Sequence, residues 1–146
     1  MQLGRHEDAL PHLKYAFENL QNAEAHLSLA VCLGELERYG DARRVLNRSL
    51  ALFPDDLTAW IVRAGLMNEE GRLEEALRDL DEVIEREPGH ALAWYNRARY
   101  LALSGATDAA FTALANAVGF DPSKRDTAKD DPDLASLRGD PRFDKL

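Results

Sequence analysis

The chain has 146 residues, 45% apolar and 30% charged, with a formal charge of −8 and a pI near 5.0. That balance belongs to a folded domain able to bury a core, and not to a disordered chain. It also argues against nucleic acid, because an acidic chain repels phosphate and the arginines lie singly or in pairs beside acids, without a basic stripe. The lone cysteine, Cys32, permits no intrachain disulfide and points to a reducing compartment. Met1 to Phe17 carries charges throughout, unlike a secretory signal, and nowhere do roughly 18 uncharged apolar residues run together as a membrane span requires. The expected location is the cytoplasm, with no membrane insertion.

Taken in chain order, the first predicted element is a helix from Arg5 to Leu20, with Ala9, Leu10, Leu13, Ala16, Phe17 and Leu20 at apolar helical spacing. Gly4-Arg5-His6-Glu7-Asp8-Ala9 before and into it reads as a turn between two helices, and Pro11 falls early, where a missing N–H costs least. The same kind of segment returns as Glu37 to Ala42, Gly71 to Ala76 and Gly105 to Ala110. Ala42, Ala76 and Ala110 are 34 residues apart, as are Pro54, Pro88 and Pro122, and Trp60 and Trp94, with His26 in the earlier tryptophan place. So many marks in one register establish an internal repeat.

Each unit reads as two helices joined by a tight turn. Leu57 to Glu69 carries Trp60, Ile61, Ala64, Leu66 and Met67 near helical spacing, with Asp55 and Asp56 supplying the N-cap, and Gly71 ends it. A second helix runs from about Leu73 to Glu87, with Ala76, Leu77, Leu80, Val83 and Ile84 on one face, and Pro88 stops it. The next unit repeats this through Trp94, Ala98, Gly105, Ala110 and Pro122. Ala30 with Ala42, Ala64 with Ala76, and Ala98 with Ala110 are expected where paired helices cross, since alanine lets the axes approach to about 8 Å. The tryptophans are expected to be mainly buried. No strand alternation is present. In the tail, Asp121-Pro122, Asp131-Pro132 and Asp140-Pro141 are three helix-start signals, followed by Leu134 with Leu137 and by Phe143 with Leu146. These predict short turns laid over the last unit. Arg138-Gly139-Asp140 resembles an adhesion motif but is better explained as a helix boundary.

The 34-residue period, Trp-x-x-x-Ala, the central Gly, the second-helix Ala and the closing Pro resemble the tetratricopeptide repeat, over residues 2 to 122. Departures are Glu37 for the turn glycine, His26 for a tryptophan, and Arg63 and Arg97 where an aliphatic residue is usual. The resemblance implies an all-α, right-handed superhelical solenoid of antiparallel helix pairs in one domain. Its parts are a half repeat (2–22), three full repeats (23–56, 57–90 and 91–122) and a C-terminal cap (123–146). It further implies a protein-interaction scaffold, non-enzymatic and without cofactor, that binds a peptide segment or partner protein in a groove formed by the first helices. The groove positions are Glu24, Leu27, Ser28, Val31 and Glu35, then Thr58, Ile61, Val62, Gly65, Asn68 and Glu69, then Leu92, Tyr95, Asn96, Arg99, Ala102 and Leu103. Tyr95 and Arg99 are the expected anchors. Of the clamp with which some relatives grip chaperone C-termini, only Asn96 matches.

Two other classes are open to the residues. An enzyme or metal site lacks support: His6, His12, His26 and His90 have no metal-ligand spacing, Cys32 falls on an inner helix face, and the paired glutamates suit solvated surfaces. Structural self-assembly is the serious alternative. The first helix lacks its hairpin partner in this chain, so a strip holding some of Leu10, Leu13 and Phe17 is expected to be open, either for homodimer formation by two-fold pairing or because Met1 is not the natural start and a preceding helix covers it.

Overall fold

The computed structural model describes residues 2–19 and 22–146, with the side chains of 2, 3, 16, 17 and 19 left aside. Among the described residues every regular element is helical. They are α1 (Gln2–Asn19), α2 (Ala23–Glu35), α3 (Tyr39–Leu52), α4 (Leu57–Glu69), α5 (Leu73–Arg86), α6 (Ala91–Leu103), α7 (Thr107–Phe120) and α8 (Lys124–Asp130). Two 3-10 turns follow, Pro132–Leu137 and Phe143–Lys145. The chain is organised as two compact units, Met1–Asp79 and Leu80–Leu146, with the boundary inside α5.

Local chemistry sets the helix ends, and it repeats in phase. Asn22, Asp56 and His90, 34 residues apart, are the N-caps of α2, α4 and α6. Their side chains accept backbone N–H groups of Glu24 and Ala25 (2.8 and 3.3 Å), Ala59 (3.2 Å) and Ala93 (3.3 Å), which the first helical turn otherwise leaves unpaired. The same helices end alike. Arg38, Arg72 and Ala106 donate N–H to Leu33, Met67 and Leu101 carbonyls, while Glu37, Gly71 and Gly105 donate to Gly34, Asn68 and Ala102. This 6→1 and 5→2 pair of bonds is the Schellman motif, and it requires a left-handed residue. Gly71 and Gly105 supply it at φ +75° and +84°; Glu37 takes φ +58° in the glycine place.

In the first unit, α1 packs on α2, and α3 packs on both α2 and α4. The core is Leu29, Ala30, Leu33, Ala42, Val45, Leu46, Leu50, Ala59 and Leu66. A Cβ on Gly34 would stand 2.9 Å from Leu66 Cδ2, the tip of a flexible side chain, so the Leu66 side chain packs directly on α2 at this glycine. In the second unit α6 packs on α7 and on the turn Pro132–Leu137. The six expected crossing alanines (Ala30, Ala42, Ala64, Ala76, Ala98 and Ala110) are all fully buried.

Three expectations need correction. Helix α1 begins at Gln2, so Gly4 is helical and not in a turn, and Pro11 lies well inside the helix, where it removes a main-chain bond. Trp60 and Trp94 are only half-buried, because each indole turns its N–H to a loop carbonyl, Pro54 and Pro88, both at 2.9 Å. Only Asp56, and not Asp55, caps α4.

Arg63, out of place in the repeat pattern, makes paired bonds of 2.7 and 2.8 Å to Asp79 and a third of 2.9 Å to Asn47 on α3. Its guanidinium also lies 4.8 Å from the Trp60 ring centre. The ion pair is largely out of water, so an isolated loss of one partner strands the other.

Two outcomes follow in equilibrium urea unfolding. Glu37→Gly removes a left-handed side chain and should raise stability by about 1 kcal/mol. Asp79→Ala should cost about 3 kcal/mol, and the double variant Arg63→Leu/Asp79→Ala should recover most of that loss.

Candidate functional site

The face of the first unit that matches the family's groove positions carries a cleft between α1 and α2. It encloses about 330 Å³ and is lined by His6, Ala9, Leu13, Leu27, Ser28, Val31 and Cys32. Four of these residues are apolar, and two, Ser28 and Val31, are exposed. Val31 is 42% exposed, far more than valine in a closed core. The Cys32 thiol donates to the His6 carbonyl at 2.9 Å, tying α2 to α1 at the back of the cleft, and burial pushes its pKa up. A thiol held neutral in this way is a packing group and a weak nucleophile. On α4, Thr58 is exposed, Val62, Gly65 and Asn68 are half-buried, and Ile61 is buried. Glu24, Glu35 and Glu69 stand exposed on the same two helices.

Leu13 was expected on a dimer strip and Leu27, Ser28 and Val31 in a groove; the structure brings all four into one cleft. Leu10 and Leu13 are half-buried against the core of the first unit, and the side chain of Phe17 lies outside the described residues. His6, Ala9 and Cys32 were not anticipated in the cleft. The spacing of His6, Ala9 and Leu13 along one helix face was a signal for the first two.

The second unit treats the corresponding positions differently. Tyr95 and Asn96 are buried, Arg99 is half-buried and Leu103 is 55% exposed; nearby Leu92 is exposed and Ala102 buried. The Tyr95 hydroxyl donates to Asp131 at 2.7 Å. Arg99 donates to Asp133 at 2.6 and 3.1 Å, to Asn96 at 3.1 Å, and lies 3.4 Å from Asp131. The two expected partner anchors are therefore engaged by the chain's own tail. Burial, then the hydrogen bond and charge of Asp131, push the Tyr95 phenol well above its usual range. For Arg99, burial opposes the charge, but Asp133 and Asp131 outweigh it and raise the pKa.

Of the three expected helix starts only Asp131-Pro132 forms as expected, with Asp131 as N-cap and Pro132 first in its turn. Helix α8 and the last turn begin later, at Lys124 and Phe143, and Asp121 and Asp140 instead close turns of their own ahead of them. Asp121, Asp131 and Asp140 accept the N–H two residues on, from Ser123, Asp133 and Arg142, at 3.0, 2.9 and 2.9 Å. Leu134 and Leu137 are fully buried. Arg138 donates to the carbonyls of Ala128 and Asp131, at 3.2 and 2.8 Å, so the Arg-Gly-Asp tripeptide is part of the fold. Arg142 bridges Asp140 and Asp108 and covers the Phe111 ring at 4.4 Å.

The family description "Tetratricopeptide repeat" matches residues 1–66 and again residues 69–124. This chain belongs to the tetratricopeptide repeat family. No curated protein matches it in sequence. Among solved structures it is similar to YrrB, described as a TPR protein with an unusual peptide-binding site. That pair shares 26% identity with a TM-score of 0.73, over 98% of this chain and 68% of that one. It is also similar to TTC0263, a thermophilic TPR protein of Thermus thermophilus, at 27% identity and TM-score 0.72, over 93% and 74% of the two chains. MamA, at 17% identity and TM-score 0.78 over 97% and 82%, shares the fold. The fold class is the all-α TPR solenoid, and the general role that goes with it is that of a protein-interaction scaffold. Among the described residues no helix is long and apolar enough to cross a membrane, and no three His, Cys, Asp or Glu side chains converge as metal ligands.

The tail has a measurable acid signature. The side-chain and backbone bonds from Arg142 lower the Asp140 pKa to about 2, against an ordinary 3.8. A depressed carboxyl stabilises the fold above its unfolded pKa, and that contribution fades as pH falls from about 4 through about 2. Carbon-13 carboxyl titration should find Asp140 ionised at pH 3, and Arg142→Ala should return it towards 3.8.

Proposed function

We propose that this TPR protein is a scaffold whose first unit binds an apolar segment of a partner protein, seated in the α1–α2 cleft and continuing over α4. The observation that carries this reading is the cleft of about 330 Å³, with Val31 exposed at its edge. Small, largely apolar concavities with a few polar groups are where peptides and ligands gain buried area. Leu13, Leu27 and Val31 offer apolar contact, while Ser28, Thr58 and Asn68 offer hydrogen bonds. Exposed Glu24, Glu35 and Glu69 favour a segment whose apolar residues are flanked by Lys or Arg, since complementary charge steers encounter and rejects acidic competitors. The protein needs no cofactor for this role and is not an enzyme on this reading.

The second reading is self-assembly through α1. Leu10 and Leu13 are only half-buried there, and Tyr15 on the same helix is 68% exposed. Two copies pairing α1 with α1 would cover these residues in one self-complementary interface.

Val31→Asp is a suitable test of the first reading, because an exposed helix position tolerates it with little loss of stability. Peptides selected on the parent from a displayed random library should be apolar and basic, and the variant should bind them about tenfold or more weakly. Selected peptides that bind both proteins equally would overturn the cleft assignment. Sedimentation of the parent and of Leu13→Glu tests the second reading: a dimer split by the charge supports it, and a monomeric parent at high micromolar concentration rules it out.

A further inference from the structure

We propose that the face of α6 is a second peptide-binding surface, selective for an acidic turn of the form Asp-Pro-Asp-Leu in a partner protein. In the free chain that surface is filled by the chain's own Asp131–Leu137 segment. It differs from the cleft of the first unit in the residues it uses and in taking a ligand of opposite charge.

The ligand's chemistry is read from the segment seated there. Asp131 caps its own turn through Asp133 N–H with one carboxylate oxygen and accepts the Tyr95 hydroxyl with the other. Asp133 takes two bonds from the Arg99 guanidinium, and Asn96 holds that guanidinium from its other side. The Lys124 ammonium stands 5.8 Å from the Tyr95 ring centre and adds positive charge beside the site. Leu134 enters the core directly after the two acids. These are side-chain carboxylates of an internal turn, so the surface needs no free chain end.

A structural cap would need only apolar burial, which Leu134 and Leu137 supply. The directional reading of two carboxylates is an addition, and it belongs to this repeat alone. One and two repeats earlier, Ile61, Val62 and Gly65, and Leu27, Ser28 and Val31, hold the register places of Tyr95, Asn96 and Arg99. The charged part of the contact is also within reach of water, with the side chains of Arg99 and Asp133 exposed by 32% and 29%. Such a contact can be opened from its polar edge.

The tethered segment competes at an effective concentration in the millimolar range, so an outside peptide meets a surface that is open for only a small fraction of the time. Weakening the tethered copy without touching α6 should therefore raise apparent affinity for an outside copy. The probe is a fluorescent peptide with the sequence of residues 130–138, titrated by anisotropy into the full-length chain. Asp131→Asn/Asp133→Asn should bind it about tenfold or more tightly than the parent does. Adding Arg99→Ala to that variant should abolish binding, and a peptide with both acids changed to Asn should not bind. A helix content equal to the parent's certifies the variant as folded, and absence of binding to that folded variant overturns the proposal. If the variant does not fold, hydrogen exchange on the parent decides. Amides of 133–137 that open faster than those of α7 support an exchangeable occupant; equal protection makes the segment a permanent cap and overturns the proposal.

Discussion

The structure depends on how closely two short helices can lie against each other. Apart from α1, the long helices have 13 or 14 residues, a length at which an isolated helix is marginal in water. Their stability has to come from packing, and the small side chains expected where the helices cross are all buried. Ala30 and Ala42, Ala64 and Ala76, and Ala98 and Ala110 are wholly without solvent exposure. At Gly34 the Leu66 side chain comes down directly on the backbone of α2. The Schellman ends then turn each first helix back, so that its successor can reach the alanine. A helix pair with bulkier contact residues would leave its leucines short of their neighbours.

This geometry is constant, and the chemistry at one set of places changes along the chain. The register that holds Leu27 and Val31 in α2 holds Ile61 and Gly65 in α4, and Tyr95 and Arg99 in α6. The first two sets are apolar, and the third is polar and paired with acids of the tail. A repeat architecture permits this, because each repeat mainly contacts its neighbours and a residue off the crossing face can change without replacing the buried alanines. Fold and the variable side-chain chemistry are thus carried by different positions of the same helix.

What was legible in the sequence was what repeats or acts locally. The period, the crossing alanines and the turn glycines stood out because each recurs at a fixed step. The Asp131-Pro132 cap was legible because such a cap reaches only two residues along the chain, whereas Asp121 and Asp140 make the same local bond without starting a helix. Less was legible where a side chain finds its partner through the fold. Arg63 read as a departure from an aliphatic place, and nothing local announced that Asp79 and Asn47 would meet it from two directions. Its counterpart Arg97 pairs with Asp81, the register equivalent of Asn47, so the family position has been rebuilt twice as an ion or amide contact. Tyr95 and Arg99 read as open anchors for the same reason. Their partners lie 36 and 34 residues further on, in a segment whose landing place no spacing rule specifies. The cleft, too, was half-legible: its α2 wall was expected, and its α1 wall was assigned to a different role.

The tail shows how one residue type breaks the repeat pattern. Pro122 stands in the register of Pro88, and α8 starts where α6 would start, with Lys124 in the place of His90 and Ala128 in the place of Trp94. Another first helix has therefore begun. Seven residues later it stops, because Pro132 occupies the place of the crossing alanine Ala98, and a residue before proline is pushed out of helical geometry. Asp131 accordingly has extended φ and ψ of −75° and 115°. The chain leaves the axis that a complete repeat would follow and comes down on α6, where Tyr95 and Arg99 receive its acids. Substituting proline for alanine at the crossing point thus removes the surface on which a second helix would pack. The same change delivers an acidic, leucine-bearing turn to the face of the preceding repeat.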